Sequence, residues 1–309
     1  MNSALKVCAL AVTACFAFAQ PASAGYTTTK HPVMLVHGLF GFDNVFGVDY
    51  FYGVKDTLAA EGTKVYTSTV SATGSTEVRG EQLRAELKRL RIVNNNPTMK
   101  FNLIGHSHGS PTARYVAAVE PGLVASVTSI GGVNKGSKVA DVLRKTIPAG
   151  SLSETVVNTI SGAFTGIMGL ATGTSLPQSG VDAMNSLTTA GSLKFNAKFP
   201  AGVPTTACGE GAYSVNGINY YSWGGSKPLT NILDPLDGGV GLVSLAFGGE
   251  ANDGLVGACS QRLGKVIRVD YKMNHIDEIN HAFGLTYLFE VNPKSIYRTH
   301  ANRLQSAGL

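Results

Sequence analysis

The sequence of 309 residues predicts an α/β fold in which helices cover both faces of a mostly parallel sheet. Short apolar, β-branched runs alternate with helical runs through the first half of the chain, as is typical of parallel strands joined by crossover helices. Two glycine-rich turns, at 37–41 and 105–109, directly follow two of the apolar runs. In a parallel sheet both turns would lie at the carboxyl ends of their strands, where functional sites of such sheets are found.

The predicted strands share short runs rich in β-branched and other apolar residues. They lie at 31–36, 65–70, 101–104, 124–130 and 265–269, with a hairpin at 212–223 that turns at Asn216-Gly217. The predicted helices lie at about 77–91, 111–119 and 279–289. The first of these helices is the clearest, because Leu83, Leu87 and Leu90 share one face.

The middle of the chain, from about Ser137 to Ala197, contains no convincing strand. An apolar helical stripe runs from Leu152 to Leu170, with small residues such as Gly162 and Gly166 between its members. The stripe is typical of a core helix, and equally of a mobile lid over an apolar site, because glycines permit movement. Both interpretations stay open at this point.

The first 24 residues have the features of a secretory signal peptide. Lys6 precedes an apolar run at 7–19, and Ala22-Ser23-Ala24 forms a small-x-small cleavage site. We therefore expect a mature chain of residues 25–309 that forms one domain and is exported through the periplasm. Lipoprotein processing at Cys15 is the alternative.

Charge and cysteine content narrow the possible partners and the compartment. The expected mature chain carries 24 basic and 20 acidic residues, a net charge of +4, and these residues are scattered. No basic–aromatic alternation is present, so the sequence does not predict nucleic-acid binding. Cys208 and Cys259 are the cysteines left after removal of the signal peptide. In an exported protein an isolated pair most simply forms a disulfide, with two free buried thiols as the alternative.

The turn at 105–109 has the pattern Gly-x-Ser-x-Gly, between an apolar strand and a helical run. This context is that of a nucleophile elbow, in which a serine sits on a sharp strand-to-helix turn. The glycines are needed because the strand and the helix approach closely around Ser107. An ordinary strand-to-helix turn is the alternative.

A nucleophilic serine needs a base, and the base needs an orienting carboxylate. In this type of fold the chain order is serine, then Asp or Glu, then histidine. His275 is the predicted base because it follows the strand at 265–269, whereas His281 falls within the predicted final helix and His300 lies near the C-terminus. Asp253, in a turn-prone segment, is the leading candidate for the acid. Other aspartates compete with it at positions 234, 237, 270 and 277.

The intermediate of acyl transfer also needs two backbone N–H donors to hold its oxyanion. One donor is expected from His108, directly after the nucleophile, and the other from Leu39, in the turn after the first strand. His108 is thus assigned through its backbone rather than its imidazole.

The chain resembles the secreted Pseudomonas-type bacterial triacylglycerol lipases, which are α/β-hydrolases. The similarity spans essentially the whole expected mature chain, and six segments carry it. These are His37–Asn44, Glu77–Leu83, Asn102–Gly109, Cys208–Tyr213, Ala251–Gly257 and Met273–Glu278.

The resemblance implies a triad of Ser107, Asp253 and His275, and so favours Asp253 as the acid. It also implies the Leu39 and His108 oxyanion donors, the Cys208–Cys259 disulfide, and a helical lid at about 150–173. One structural Ca²⁺ is implied by the family alone. Its expected ligands are the carboxylates of Asp234 and Asp277 and the backbone carbonyls of His281 and Leu285, which suits the preference of Ca²⁺ for oxygen.

We therefore expect a secreted, monomeric lipase that hydrolyses triacylglycerol at the lipid–water interface with opening of its lid. The family also implies a dedicated foldase as a partner during export. A carboxylesterase for short soluble esters is the enzymatic alternative, and the apolar stretch at 150–173 disfavours it. A catalytically inactive homologue that only binds surfaces is a further alternative.

Overall fold

The computed structural model describes residues 25–39, 41, 44–45, 48–145, 155–156, 159, 163 and 180–309. The predicted signal peptide at 1–24 lies outside these residues, as does most of the predicted lid at 150–173. In the part of the chain that the structure describes, no helix is both long and apolar enough to cross a membrane.

The described residues form a seven-stranded sheet, a separate short hairpin of β2 and β3, and helices on both faces of the sheet. The strands are β1 (Val33–Val36), β2 (Asn44–Val45), β3 (Val48–Asp49), β4 (Val65–Thr67), β5 (Phe101–His106), β6 (Val124–Ile130), β7 (Ser214–Val215), β8 (Ile218–Gly225) and β9 (Lys265–Tyr271). The helices are α1 (Val54–Ala59), α2 (Thr76–Val93), α3 (Gly109–Val119), α4 (Lys138–Leu143), α5 (Gly180–Leu187), α6 (Thr189–Lys198), α7 (Asp237–Val243) and α8 (Pro293–Ser306).

The sheet is parallel except for one edge hairpin, as the alternation of strands and helices predicts. Strands β4, β1, β5, β6, β8 and β9 pair in that order and are all parallel. Strand β7 pairs antiparallel with β8, and the predicted turn residues Asn216 and Gly217 both have positive φ, at 53° and 75°. The carboxyl ends of β1, β5, β8 and β9 therefore open at one edge of the sheet, where β5 leads into Ser107.

Two apolar clusters fill the space on the two faces of the sheet. Alternate residues of β1 divide between them: Met34 joins the cluster beneath α2 and α3, and Leu35 joins the cluster beneath α1 and α8. The four residues of β1 are fully buried. Burial on both faces explains why the central strands are continuous apolar runs rather than alternating ones.

The predicted helix at 279–289 is wrong. The chain there makes a 3₁₀ turn at Asp277–Ile279 and then an irregular loop. Three residues in that loop, Asn280, Phe283 and Gly284, have positive φ, which no right-handed helix accommodates. The final helix is α8, which begins where Asn292 caps it and Pro293 occupies its first turn.

Candidate active site

The turn at 105–109 has the geometry of a nucleophile elbow. Ser107 has a φ of 55°, a conformation that non-glycine residues rarely adopt. A Cβ atom on Gly105 would lie 2.3 Å from the carbonyl oxygen of Gly109, and one on Gly109 would lie 2.1 Å from that of Val36. The crowding that the sequence analysis expected is therefore present, and only glycine fits at either position.

The backbone around Ser107 holds the strained residue in place. Its N–H donates to the carbonyl of Ile130 at 2.9 Å, at the end of the neighbouring strand β6. Its carbonyl accepts from the N–H groups of Ser110 and Val133 at 3.1 and 3.3 Å. The elbow is thus tied to α3 and to the turn after β6, and these bonds hold the strained backbone in place.

His275 and Asp253 are hydrogen-bonded to each other at the same edge of the sheet. The Nδ1–H of His275 donates to Asp253 Oδ2 at 2.8 Å, and the His275 backbone N–H donates to the Asp253 carbonyl at 2.9 Å. Both side chains are buried. Because an ionised carboxylate only accepts, the pairing places the imidazole proton on Nδ1 and leaves Nε2 able to accept a proton.

The Asp253 carboxylate is fully supplied with donors. Oδ2 also accepts from Gln261 Nε2 at 2.9 Å, while Oδ1 accepts from the backbone N–H groups of Leu255 and Val256 at 2.8 and 2.7 Å. Gln261 is a site residue that sequence reasoning missed, and only its position two residues after Cys259 hinted at it.

The competing candidates lie elsewhere. Asp270 is exposed and pairs with Arg268, and Asp237 accepts from Thr230 and from the side chain of Asn274. His300 is buried in α8 against Thr128. Among the aspartates that the sequence left open as candidates for the acid, Asp253 is the one whose carboxylate is hydrogen-bonded to His275.

Glu278 is a second buried carboxyl group beside His275, and it is not among the residues predicted from the sequence. Its Oε1 accepts from the Gly225 N–H at 2.6 Å, and its Oε2 lies 3.4 Å from His106 Nε2 and 3.9 Å from His275 Nδ1. Burial, reinforced by the negative charge of Asp253, raises the pKa of Glu278 well above its ordinary value. The available signal was its position one 3₁₀ turn after the predicted base.

The turn after β1 is anchored from two sides. The guanidinium of Arg79, which is buried in α2, donates to the His37 carbonyl at 2.6 Å, and the Gly38 N–H donates to the hydroxyl of Tyr50 at 3.1 Å. Burial lowers the pKa of Arg79 to about 10, so this arginine is still charged at neutral pH. The predicted donor Leu39 follows directly in this turn and is half-buried.

The other predicted oxyanion donor, His108, stands at the N-terminus of α3. Backbone N–H groups there lack partners within the helix, and the helix dipole favours negative charge. The His108 imidazole points away into the core, where it bonds to Thr76 Oγ1 at 2.9 Å. This agrees with the assignment of His108 through its backbone.

Two of the four predicted Ca²⁺ ligands are buried carboxylates with unused oxygens. Within the described part of the chain, Asp234 Oδ2 and Asp277 Oδ1 have no hydrogen-bond partner. Burial, with a smaller contribution from the charges of Asp234 and Asp237, raises the pKa of Asp277 to about 7. His281 and Leu285 lie in the irregular loop that follows the 3₁₀ turn at Asp277–Ile279. Unpartnered, mutually repelling carboxylate oxygens fit the charge of a divalent cation.

The predicted disulfide between Cys208 and Cys259 is present. It joins the segment before β7 to the segment that carries Asp253 and Gln261. The disulfide therefore constrains the segment that carries Asp253, the partner of His275.

The fold and the elbow define a class of protein. Residues 31–262 match a family model described as the alpha/beta hydrolase fold. Two solved lipases share the fold: the mature Bacillus licheniformis lipase BlEst2 has a TM-score of 0.61 and 16% identity over 93% of this chain and 95% of its own. The Staphylococcus hyicus lipase has a TM-score of 0.59 and 18% identity over 90% of this chain and 97% of its own.

Sequence relatives narrow the class. A triacylglycerol lipase of Vibrio cholerae is 56% identical over 92% of this chain and 91% of its own length. One from Pseudomonas fragi is 42% identical over 91% and 98%, and one from Burkholderia plantarii is 38% identical over 92% and 88%. The chain belongs to the bacterial triacylglycerol lipases of the α/β-hydrolase superfamily.

Proposed function

We propose that this protein hydrolyses the ester bonds of triacylglycerol at a lipid–water interface. The observation that carries the proposal is the strained Ser107 on its elbow, beside the buried His275–Asp253 pair. The rings of His275 and of His106, the residue before the serine, lie 4.5 Å apart between centroids, which brings the base to the elbow. The similarity to relatives named triacylglycerol lipase supports the substrate class.

Each step follows from the positions of the protons. Ser107 Oγ attacks the ester carbonyl while His275 Nε2 takes its proton, since Nδ1 already donates to Asp253. Asp253 stabilises the resulting imidazolium, and the backbone N–H groups of Leu39 and His108 hold the oxyanion. His275 then protonates the leaving alcohol, and the acyl-enzyme is hydrolysed by a water that His275 deprotonates.

An exposed apolar surface supports a lipid phase as the site of action. We call it the apolar rim; it consists of Leu229, Ile232, Leu233, Leu288 and Phe289. Ile232 is 97% exposed and Phe289 86% exposed. The segments that carry the rim follow β8 and β9, so they lie at the edge of the sheet that holds Ser107. The side chain of Asn231 joins them by donating to the Thr286 carbonyl at 3.2 Å.

Matched variants separate a lipase from an esterase for soluble substrates. Ile232→Ser with Phe289→Ser removes apolar rim area that would bury in lipid, which is worth about 1.5–3 kcal/mol per side chain. We expect olive-oil emulsion hydrolysis to fall by at least about tenfold and hydrolysis of soluble p-nitrophenyl acetate to stay within about twofold. The control is Ile92→Ser with Val93→Ser, at the end of α2 away from the site, where Ile92 is 80% exposed.

The other outcomes identify the alternatives. A wild-type preference for p-nitrophenyl acetate, with no gain on emulsions, would support the carboxylesterase. Failure of a fluorophosphonate to label Ser107 would support the inactive homologue.

A single Ca²⁺ is part of the proposal. The Asp234 and Asp277 carboxylates and the carbonyls of His281 and Leu285 would hold it, and its charge would offset the two buried carboxylates. The ion would thereby pin the chain two residues beyond His275. We expect Ca²⁺ at 100 times its dissociation constant to add about 2.7 kcal/mol to the free energy of unfolding. Asp234→Asn should lose that increment. If Ca²⁺ and EDTA change the stability of the variant as much as that of the wild type, the ion binds elsewhere.

Export, the foldase, the lid and the monomeric state also belong to the proposal. The signal-like segment at 1–24 and the Cys208–Cys259 disulfide support export to an oxidising compartment. We expect the secreted protein to begin at Gly25, which mass spectrometry of culture medium tests. We expect analytical sedimentation to give the mass of one chain. We expect refolding of the denatured protein to require the foldase. We expect addition of lipid to make the lid at 150–173 more susceptible to proteases.

A further inference from the structure

A chain of buried hydrogen bonds connects the turn that carries Leu39 to the backbone of His275. The Gly38 N–H lies 3.1 Å from the Tyr50 hydroxyl, which lies 2.7 Å from His106 Nδ1. On the other side of the same ring, His106 Nε2 lies 3.0 Å from the carbonyl oxygen of His275. Tyr50 and His106 are both buried.

Each bond in this chain has one possible direction. A carbonyl only accepts, so His106 Nε2 must carry a proton and donate it to His275. Burial lowers the pKa of His106 well below its ordinary value, so the ring is neutral and Nδ1 is an acceptor. The Tyr50 hydroxyl therefore donates to Nδ1, and its oxygen accepts from the Gly38 N–H. Glu278 Oε2 also faces the ring, at 3.4 Å from His106 Nε2.

The two ends of this chain of hydrogen bonds lie beside two groups that act in the proposed reaction. Gly38 precedes Leu39, whose N–H is the proposed oxyanion donor, and His275 is the proposed base. We propose that Tyr50 and His106 are positioning residues that fix the oxyanion donor relative to the base, so that both meet the same tetrahedral intermediate. The inference rests on the proposed function, because it assigns these residues a role in ester hydrolysis.

The Tyr50 hydroxyl is packed against the turn after β1, so it helps to set the distance between that turn and Ser107. A Cβ atom on Gly38 would lie 2.7 Å from that hydroxyl and 2.8 Å from Ser107 Cβ, so the turn, the tyrosine and the nucleophile are in contact. The Tyr50 ring also packs against Phe51, with centroids 5.1 Å apart. Tyr50→Phe keeps this packing and removes the hydroxyl that bonds to Gly38 and His106, which makes it the informative substitution.

We expect Tyr50→Phe to lower kcat on p-nitrophenyl acetate by about 10- to 100-fold with KM within about twofold, since a displaced oxyanion donor acts in the transition state. Affinity for a trifluoromethyl ketone, which mimics the tetrahedral intermediate, should fall by the same factor. The control is Tyr221→Phe, which removes another buried hydroxyl, bonded to that of Tyr213 at 2.7 Å. It should cost stability alone.

A double-mutant cycle tests whether Tyr50 and His106 act as one unit. His106→Gln keeps a donor toward the His275 carbonyl and loses the acceptor for Tyr50. If the two residues form one chain, adding Tyr50→Phe to His106→Gln should cost little further kcat. Additive losses would show that the residues act separately and would overturn the proposal.

Two further results would also overturn it. One is a Tyr50→Phe enzyme that loses thermal stability but keeps wild-type kcat and ketone affinity. The other is a ¹⁵N spectrum of the wild-type protein that places the His106 proton on Nδ1, a test that needs no variant to fold. Absence of ester hydrolysis in the wild-type protein would instead refute the proposed function, so the two failures are distinguishable.

Discussion

Replacing Asp253 with asparagine tests how the base is held. The backbone N–H groups of Leu255 and Val256 donate to Asp253 Oδ1 and cannot reverse direction. An asparagine must therefore turn its oxygen toward them and its NH₂ group toward His275 and Gln261. His275 would then accept at Nδ1 and carry its proton on Nε2. In that tautomer Nε2 cannot accept the proton of the nucleophile.

The size of the expected loss in kcat follows from this change of the His275 tautomer. We expect Asp253→Asn to lower kcat by about 10⁴-fold, as the equivalent change does in a serine protease. That loss corresponds to about 5.4 kcal/mol of transition-state stabilisation. KM should change little, because the acid does not contact the substrate. The NH₂ groups of the asparagine and of Gln261 would also oppose each other, which should cost about 1–3 kcal/mol of stability.

Initial rates on p-nitrophenyl acetate and urea unfolding measure both effects. Asp270→Asn is the control, because Asp270 is exposed and pairs with Arg268 rather than with His275. A loss of less than about tenfold for Asp253→Asn would refute the reasoning. Glu278 would then be the group that holds His275, and Asp253→Asn combined with Glu278→Gln should show the missing loss.

Three further predictions concern stability and the elbow. Gly105→Ala should abolish folding or activity, because its Cβ would lie 2.3 Å from a carbonyl oxygen of the elbow. His300 is buried with a pKa lowered to about 3, chiefly by burial, while the unfolded chain protonates near pH 6.5. The contribution of neutral His300 to stability should therefore be complete above pH 6.5 and be lost toward pH 3, and His300→Gln should reduce the slope of stability against pH in that range by about 1.4 kcal/mol per pH unit. Replacing Cys208 and Cys259 with serine opens a loop with a sequence separation of 51, which should cost about 4 kcal/mol in urea unfolding.

Each of these predictions has a result that contradicts it. Gly122→Ala is the control for the elbow, since a Cβ there meets nothing within 4 Å, and equal behaviour of the two alanine variants would refute the steric argument. Parallel pH profiles of wild-type and His300→Gln stability would mean that His300 titrates alike in the folded and unfolded chain. Unchanged urea midpoints without the disulfide would show that the loop is already ordered in the unfolded chain.

The sequence predicts those elements whose structure depends on residues that are close together along the chain. The buried strand β1 and the helix α2 follow from periodicity, and the elbow follows from glycine spacing around Ser107. The false helix at 279–289 has helix-like apolar spacing, but positive φ at Asn280 and Phe283 breaks it. The Asn292-Pro293 pair is a local signal in the sequence for the start of α8.

Long-range contacts account for what could not be predicted. Tyr50 and His106 bond across 56 residues. Glu278 follows β9, which β6 and β8 separate from β5, and it approaches His106 across the carboxyl ends of those strands. No periodicity encodes such a meeting. The prediction of Asp234 and Asp277 as Ca²⁺ ligands rests on the resemblance to a known family rather than on the residues themselves, and their unpartnered oxygens are visible only in three dimensions.

The central claim is that Ser107 is the nucleophile, and Ser107→Ala tests it most directly. The wild-type protein treated with a fluorophosphonate should gain one phosphonyl group on the peptide that contains Ser107. The variant should gain none, lose at least about 10³-fold in emulsion hydrolysis, and keep the wild-type circular dichroism and the Ca²⁺ dependence of its Tm. Retained turnover or retained labelling in the folded variant would contradict the account.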